Sequence, residues 1–171
     1  MNRRRSAREP PAPGDRLRGV TRGEWLDREQ QAAWRAWLEG SALLDEALGR
    51  DLLEVGLTLG EYDILVQLSE QKTRSLRMSE LAELVLHSRS RLTHTVSRME
   101  TRGLVRREPC AQDRRGVQCT MTEAGTAALV EAAPHHVGSV RAHLVEPLSR
   151  EEFLALGAAM TTVRDRLRAR S

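Results

Sequence analysis

The chain has 171 residues, 40% of them apolar and 30% charged, enough for one domain of ordinary size with helical extensions. No apolar run approaches the roughly eighteen residues of a membrane span, the basic N-terminus lacks the apolar segment of a signal peptide, and two cysteines do not make a disulfide framework. The formal net charge of +3 is unevenly spread: Met1 to Arg22 holds seven arginines against two acids, and Lys72 to Gln118 holds eleven basic residues against five acidic ones. A basic block flanked by acidic helices is the footprint of a module that binds a polyanion.

Residues 1–22 are rich in Arg, Pro and Gly with almost nothing apolar, and they read as a disordered basic arm. From Gly23 the pattern changes. Trp25, Leu26, Ala33, Trp34, Trp37, Leu38, Leu44, Leu48, Leu52 and Leu53 recur at helical spacing, and Gly40-Ser41 and Gly49 bend the segment without ending it. Thr58 followed by Glu61 is a capping box, which predicts a helix burying Ile64, Leu65 and Leu68. SLRM, Ser75 to Met78, has room for one brief strand.

SELAELV reads as a helix capped by Ser79. After a tight junction at Leu86-His87, Ser88 caps a second helix reaching about Arg102, where Gly103 supplies the stop. LVRREP and GVQCTM form a hairpin around the tip AQDRRG. Thr122 opens another helix, kinked or restarted at Pro134. Ser149 with Glu152 opens the last one, through Phe153, Leu154, Leu156, Met160, Val163 and Leu167. The expected fold is therefore mainly α with a small β-hairpin: a winged helix-turn-helix over 57–121, between helices at 23–56 and 122–171 that are too apolar to be solvated alone.

The chemistry concentrates in HSRSRLTHTVSRMETRGLVRREP. Leu92, Val96 and Met99 fall at i, i+4 and i+7 and define one buried stripe. Opposite them lie Arg91, His94, Thr95, Arg98 and Arg102, with Arg89 and Ser90 in the first turn, a face rich in donors and poor in acceptors. The major groove of B-DNA admits a helix and presents acceptors on base edges and phosphates, and Arg pairs bidentately with guanine. At the hairpin tip, Arg114 or Arg115 suits the negative potential of a narrow minor groove, with Asp113 orienting its neighbour. Taken alone, an Arg-rich helix face is usually just solvated; the preceding helix and the basic hairpin give it meaning.

SELAELV, HSRSRLTHTVSRMETRGLVRREP, the DRRG tip and TEAG together resemble the MarR family of bacterial transcriptional regulators, most strongly from Leu57 to Gly125. The resemblance implies a cytoplasmic homodimer whose N- and C-terminal helices interlock and whose winged helices each bind half of a palindromic operator in double-stranded DNA. It places recognition-helix contacts at Ser88, Arg89, Ser90, Arg91, Thr93, His94, Thr95 and Arg98, and the wing arginine at Arg115, braced by Asp113 beside Arg114. It further implies transcription regulation by a repressor released by a small aromatic or phenolic effector, in a pocket near Trp25, Trp34 and Tyr62.

Catalysis is not expected, since the sequence has no Gly-rich phosphate loop, no nucleophile elbow and no paired carboxylates in an apolar setting. No cofactor is expected either. The histidines lack CxxC or HxxxH spacing, so no metal site is assigned. Two alternatives are a helical interaction module that binds polyanions without sequence choice, and a redox sensor using Cys110 and Cys119. Those cysteines are expected on facing strands at the base of the wing, where packing is the ordinary role of such residues.

Overall fold

In a computed structural model the chain is described for residues 25–85, 89–110 and 116–170. The arm expected over 1–22, the junction Leu86-His87, the cap Ser88 and the wing tip with Asp113, Arg114 and Arg115 lie outside the described residues. The chain divides into two compact units, residues 1–41 and 42–171.

The first unit contains the beginning of α1 (Arg28–Glu54). A reciprocal cap that sequence reading missed opens it: Asp27 Oδ1 accepts the Gln30 N–H at 2.8 Å, and Gln30 Oε1 accepts the Asp27 N–H at 3.0 Å. Gly40 and Gly49 do not end the helix, as expected. Trp25, Trp34 and Leu38 are about half exposed.

In the second unit, α2 (Leu59–Ser69) starts at the predicted capping box, with Glu61 N–H donating to Thr58 Oγ1 and Thr58 N–H donating to Glu61 Oε2. It buries Ile64, Leu65 and Leu68, as its spacing predicts. The brief strand β1 (Ser75–Arg77) runs directly into α3 (Met78–Leu84). Here the expected cap is corrected. The N-cap is Arg77, not Ser79, because Glu80 reaches back to accept the Arg77 N–H at 3.1 Å and the helix begins one residue after the strand ends.

Helix α4 (Arg89–Thr101) ends at Gly103, whose φ of +73° is the left-handed conformation that glycine adopts without a steric penalty. The Leu104 N–H then bonds back to the Met99 carbonyl at 2.9 Å, closing the helix end. Strands β2 (Val105–Pro109) and β3 (Val117–Met121) form the predicted antiparallel hairpin, and β1 pairs along the other edge of β3, giving the order β1-β3-β2.

Helix α5 (Glu123–Val140) is capped by Thr122 and runs without a restart through Pro134. A π-helical turn (Arg141–Val145) follows, and then α6 (Arg150–Arg168), opened by the predicted Ser149–Glu152 box. Leu52, Leu57, Ile64, Leu65, Leu68, Leu81, Leu92, Val96, Met99, Val105 and Cys119 form one core joining α2, α3, α4 and the sheet. Full burial of each such Leu contributes about 1.5–3 kcal/mol, so α4 is anchored by packing along its whole length. By contrast α6 has no buried residue; Leu154, Val163 and Leu167 are largely exposed.

Candidate nucleic-acid interface

Leu92, Val96 and Met99 are buried to within 1% of full burial. That fixes which side of α4 faces outward. Ser90, Arg91, Thr93, His94 and Arg98 are exposed, and Thr95 is half-buried with its hydroxyl donating to the Arg91 carbonyl at 3.1 Å. Six of the eight residues predicted for the recognition helix therefore have described side chains, all away from the core stripe; Arg89 lies in the first turn of α4 and Ser88 outside the described residues.

This outer side has two parts that helical periodicity did not separate. Arg91, His94, Thr95 and Arg98 border an open cleft of about 1020 Å³ between α4, α2 and α5, whereas Ser90 and Thr93 are not among its lining residues. Across the cleft stand Tyr62 and Asp63 of α2 and His136 of α5. The rings of Tyr62 and His136 lie 4.4 Å apart, tilted by 43°. Burial pushes the Tyr62 hydroxyl above its ordinary pKa and pulls His136 below its own. Of the three aromatic residues predicted for an effector pocket, Tyr62 lines this cleft; Trp25 and Trp34 belong to the other unit.

The helix is clamped to the hairpin at its last turns. Arg107 on β2 donates to Glu100 from its backbone N–H at 2.9 Å, from Nε at 2.9 Å and from Nη2 at 2.6 Å, and its Nη2 also reaches Ser97 Oγ at 3.0 Å. These bonds hold the Glu100 carboxyl below the usual carboxylate range. On the α2 side, Glu61 is 2% exposed and meets Arg102 at 3.1 Å and Arg98 at 3.7 Å. Sequence reading found Glu61 only as a cap; its acidic type and the Arg98–Arg102 spacing were the available signals for the second role.

The two cysteines do not oppose each other. Cys119 pairs with Arg107, while the Cys110 N–H bonds to the Gly116 carbonyl at 2.9 Å, and both thiols are free and buried. Burial pushes the Cys119 thiol up to about 12, against a smaller downward pull from Arg107, so it holds almost no thiolate at neutral pH. Among the described residues no group of three His, Cys, Asp or Glu could hold a metal ion, and no helix is long and apolar enough to cross a membrane.

Two helices followed by a β-hairpin, with a donor-rich face on the second helix, define a winged helix-turn-helix. The MarR family model matches residues 55–116. The HTH-type transcriptional regulator PecS of Dickeya dadantii is 30% identical over 128 residues, covering 74% of this chain and 76% of the relative. Among solved structures, AbsC of Streptomyces coelicolor, a MarR family transcriptional regulator, is similar at a TM-score of 0.79 and 44% identity over 85% of this chain and 98% of the other. Sco3205 of the same organism, a MarR family transcriptional regulator solved in complex with DNA, is similar at 0.80 and 40% over 84% and 94%. The chain belongs to the MarR family of transcriptional regulators.

Proposed function

We propose that this regulator binds double-stranded DNA sequence-specifically as a cytoplasmic homodimer, without catalysis, and represses transcription by occupying a palindromic operator. The observation that carries the reading is α4 itself, with Leu92, Val96 and Met99 locked in the core while Ser90, Arg91, Thr93, His94 and Arg98 face outward beside the hairpin. The DNA complex of Sco3205 supports it. Ser88, Arg89 and Thr95 complete the set on the recognition helix, and Asp113, Arg114 and Arg115 act at the wing. The flanking helices join two copies, with the apolar side of α6 as part of the contact. The two recognition helices then sit about 34 Å apart, one turn of B-DNA.

The cleft lined by Tyr62, His136, Arg91 and Arg98 suits a small aromatic or phenolic effector. An occupant there touches α4 directly, and a few kcal/mol of preference for one spacing of the two helices empties the operator.

The test is selection of a duplex from a random pool by the wild-type protein, followed by fluorescence anisotropy against a scrambled duplex over a salt series. Tight binding to the selected duplex, with base preference relaxed in Arg91→Ala or Arg98→Ala, supports the reading. Equal binding to both duplexes, falling steeply with salt, would instead make the chain a non-specific polyanion binder.

A further inference from the structure

We propose that Glu61 is a positioning residue for the recognition helix, a role distinct from the cap it supplies to α2. The inference rests on the DNA-binding reading above. Two observations carry it. The first is that Glu61 is 2% exposed, and a carboxylate so placed is strongly destabilising unless paired. The second is what its oxygens touch. Oε2 accepts the Thr58 N–H at 2.9 Å and Arg102 Nη1 at 3.1 Å, while Oε1 stands 3.7 Å from Arg98 Nη2.

Arg102 is the second half of the device. Its Nη2 donates to the Gly56 carbonyl at 2.7 Å, so one guanidinium ties the C-terminal turn of α4 both to the start of α2 and to the corner between α1 and α2. Gly56 takes φ +77° there, which turns the chain at that corner. Capping alone does not need the charge, because glutamine serves at the same position of a capping box. The charge is spent on α4. It sets where Arg98 sits, and with Arg102 it fixes the pitch and register at which α4 meets a groove. Glu100 and Arg107 clamp the same turns from the hairpin side, so α4 is held between two acid–arginine contacts.

Glu61→Gln separates the two roles, keeping the cap while removing the charge. With the duplex selected by the wild-type protein, Glu61→Gln is expected to lower the ratio of selected to scrambled affinity about tenfold. Scrambled-duplex affinity stays equal or rises, because Arg98 is no longer partly neutralised. Amide hydrogen exchange in free protein should quicken at Val96 to Thr101 while that of Ile64 to Leu68 is unchanged. Arg102→Gln, at a half-exposed position, repeats the test if Glu61→Gln does not fold, and Arg102→Lys, which cannot span both acceptors, restores only part of the ratio. A folded variant with wild-type discrimination and wild-type exchange in α4 would overturn the assignment. Should the wild-type protein select no duplex at all, the DNA reading fails by itself, and exchange alone decides whether Glu61 holds α4.

Discussion

Arg107 grips Glu100 through three hydrogen bonds, two from the guanidinium at 2.6 and 2.9 Å and one from its own backbone N–H at 2.9 Å. The pair joins the last turn of α4 to β2, the first strand of the hairpin. Because both side chains are about one-third exposed, solvent screens part of the attraction, and Glu100→Ala is expected to cost about 1 kcal/mol of stability. The same contact sets a pH dependence. The folded carboxyl lies below its ordinary value, so its stabilisation is complete above that value and is lost as pH falls through the lowered one. Urea melts of wild type and Glu100→Gln over a series from pH 7 downward check this: the difference between them should be full at pH 7 and shrink as the pH falls below the ordinary carboxylate value.

Gly125 explains why the TEAG sequence cannot take a larger residue at its end. A Cβ there would run into the Leu104 carbonyl oxygen and come within 2.9 Å of Met121 Cγ. The Thr122 hydroxyl already pins this corner, donating toward the carbonyls of Gly103 at 2.7 Å and Leu104 at 3.0 Å. Backbone cannot give way as a flexible side chain can, so Gly125→Ala is expected to cost about 1–3 kcal/mol and to lower Tm, read by thermal melting.

Two adjacent faces of α4 should separate stability from binding. Leu92→Ala removes a side chain 1% exposed and is expected to cost about 2–5 kcal/mol in a urea melt. Ser90→Ala, on the exposed side, should shift stability by less than about 0.5 kcal/mol. If Ser90→Ala nonetheless weakens binding to a selected duplex, the exposed side is the reading surface; if neither stability nor binding moves, Ser90 is not a contact.

His136 gives a second pH prediction in a different window. Burial lowers its folded pKa below the ordinary value of 6.5, so the neutral ring against Tyr62 is favoured. Its stabilisation is present above pH 6.5 and is lost as acidification passes below that value toward the lowered one. Thermal melts from pH 7.5 to 5 should show this loss in wild type and a flatter profile in His136→Phe. An NMR titration of the His136 ring with a midpoint at or above 6.5 would contradict it.

Sequence reading succeeded where a signal is local. The pairs Thr58–Glu61 and Ser149–Glu152 announced helix starts because a cap needs only residues four positions long, and the Leu92, Val96, Met99 stripe announced the buried side of α4 because period alone defines it. It missed what depends on distant chain. Ser79 looked like a cap, but the end of β1 put Arg77 in that place. Periodicity gave α4 an inside and an outside; only the packing of α2 and α5 divided the outside into a cleft edge with Arg91 and Arg98 and a part away from the cleft with Ser90 and Thr93. The facing-strand expectation for the cysteines holds to within a residue, with Cys119 on β3 and Cys110 just past β2, but only hairpin register sets Cys119 opposite Arg107. The Glu61–Arg102 contact joins residues 41 positions apart, beyond any spacing rule.

Helix α6 is well capped at its start, but among the described residues only Phe153 and Leu156 are even partly covered, and the rest of its apolar side, Leu154, Val163 and Leu167, is exposed. In proteins most helical stability comes from packing of an apolar face rather than from propensity. If a second copy covers that side, as proposed above, its order becomes a matter of mass action: the helical content of this segment should fall as the protein is diluted, and the melting temperature should rise with chain concentration.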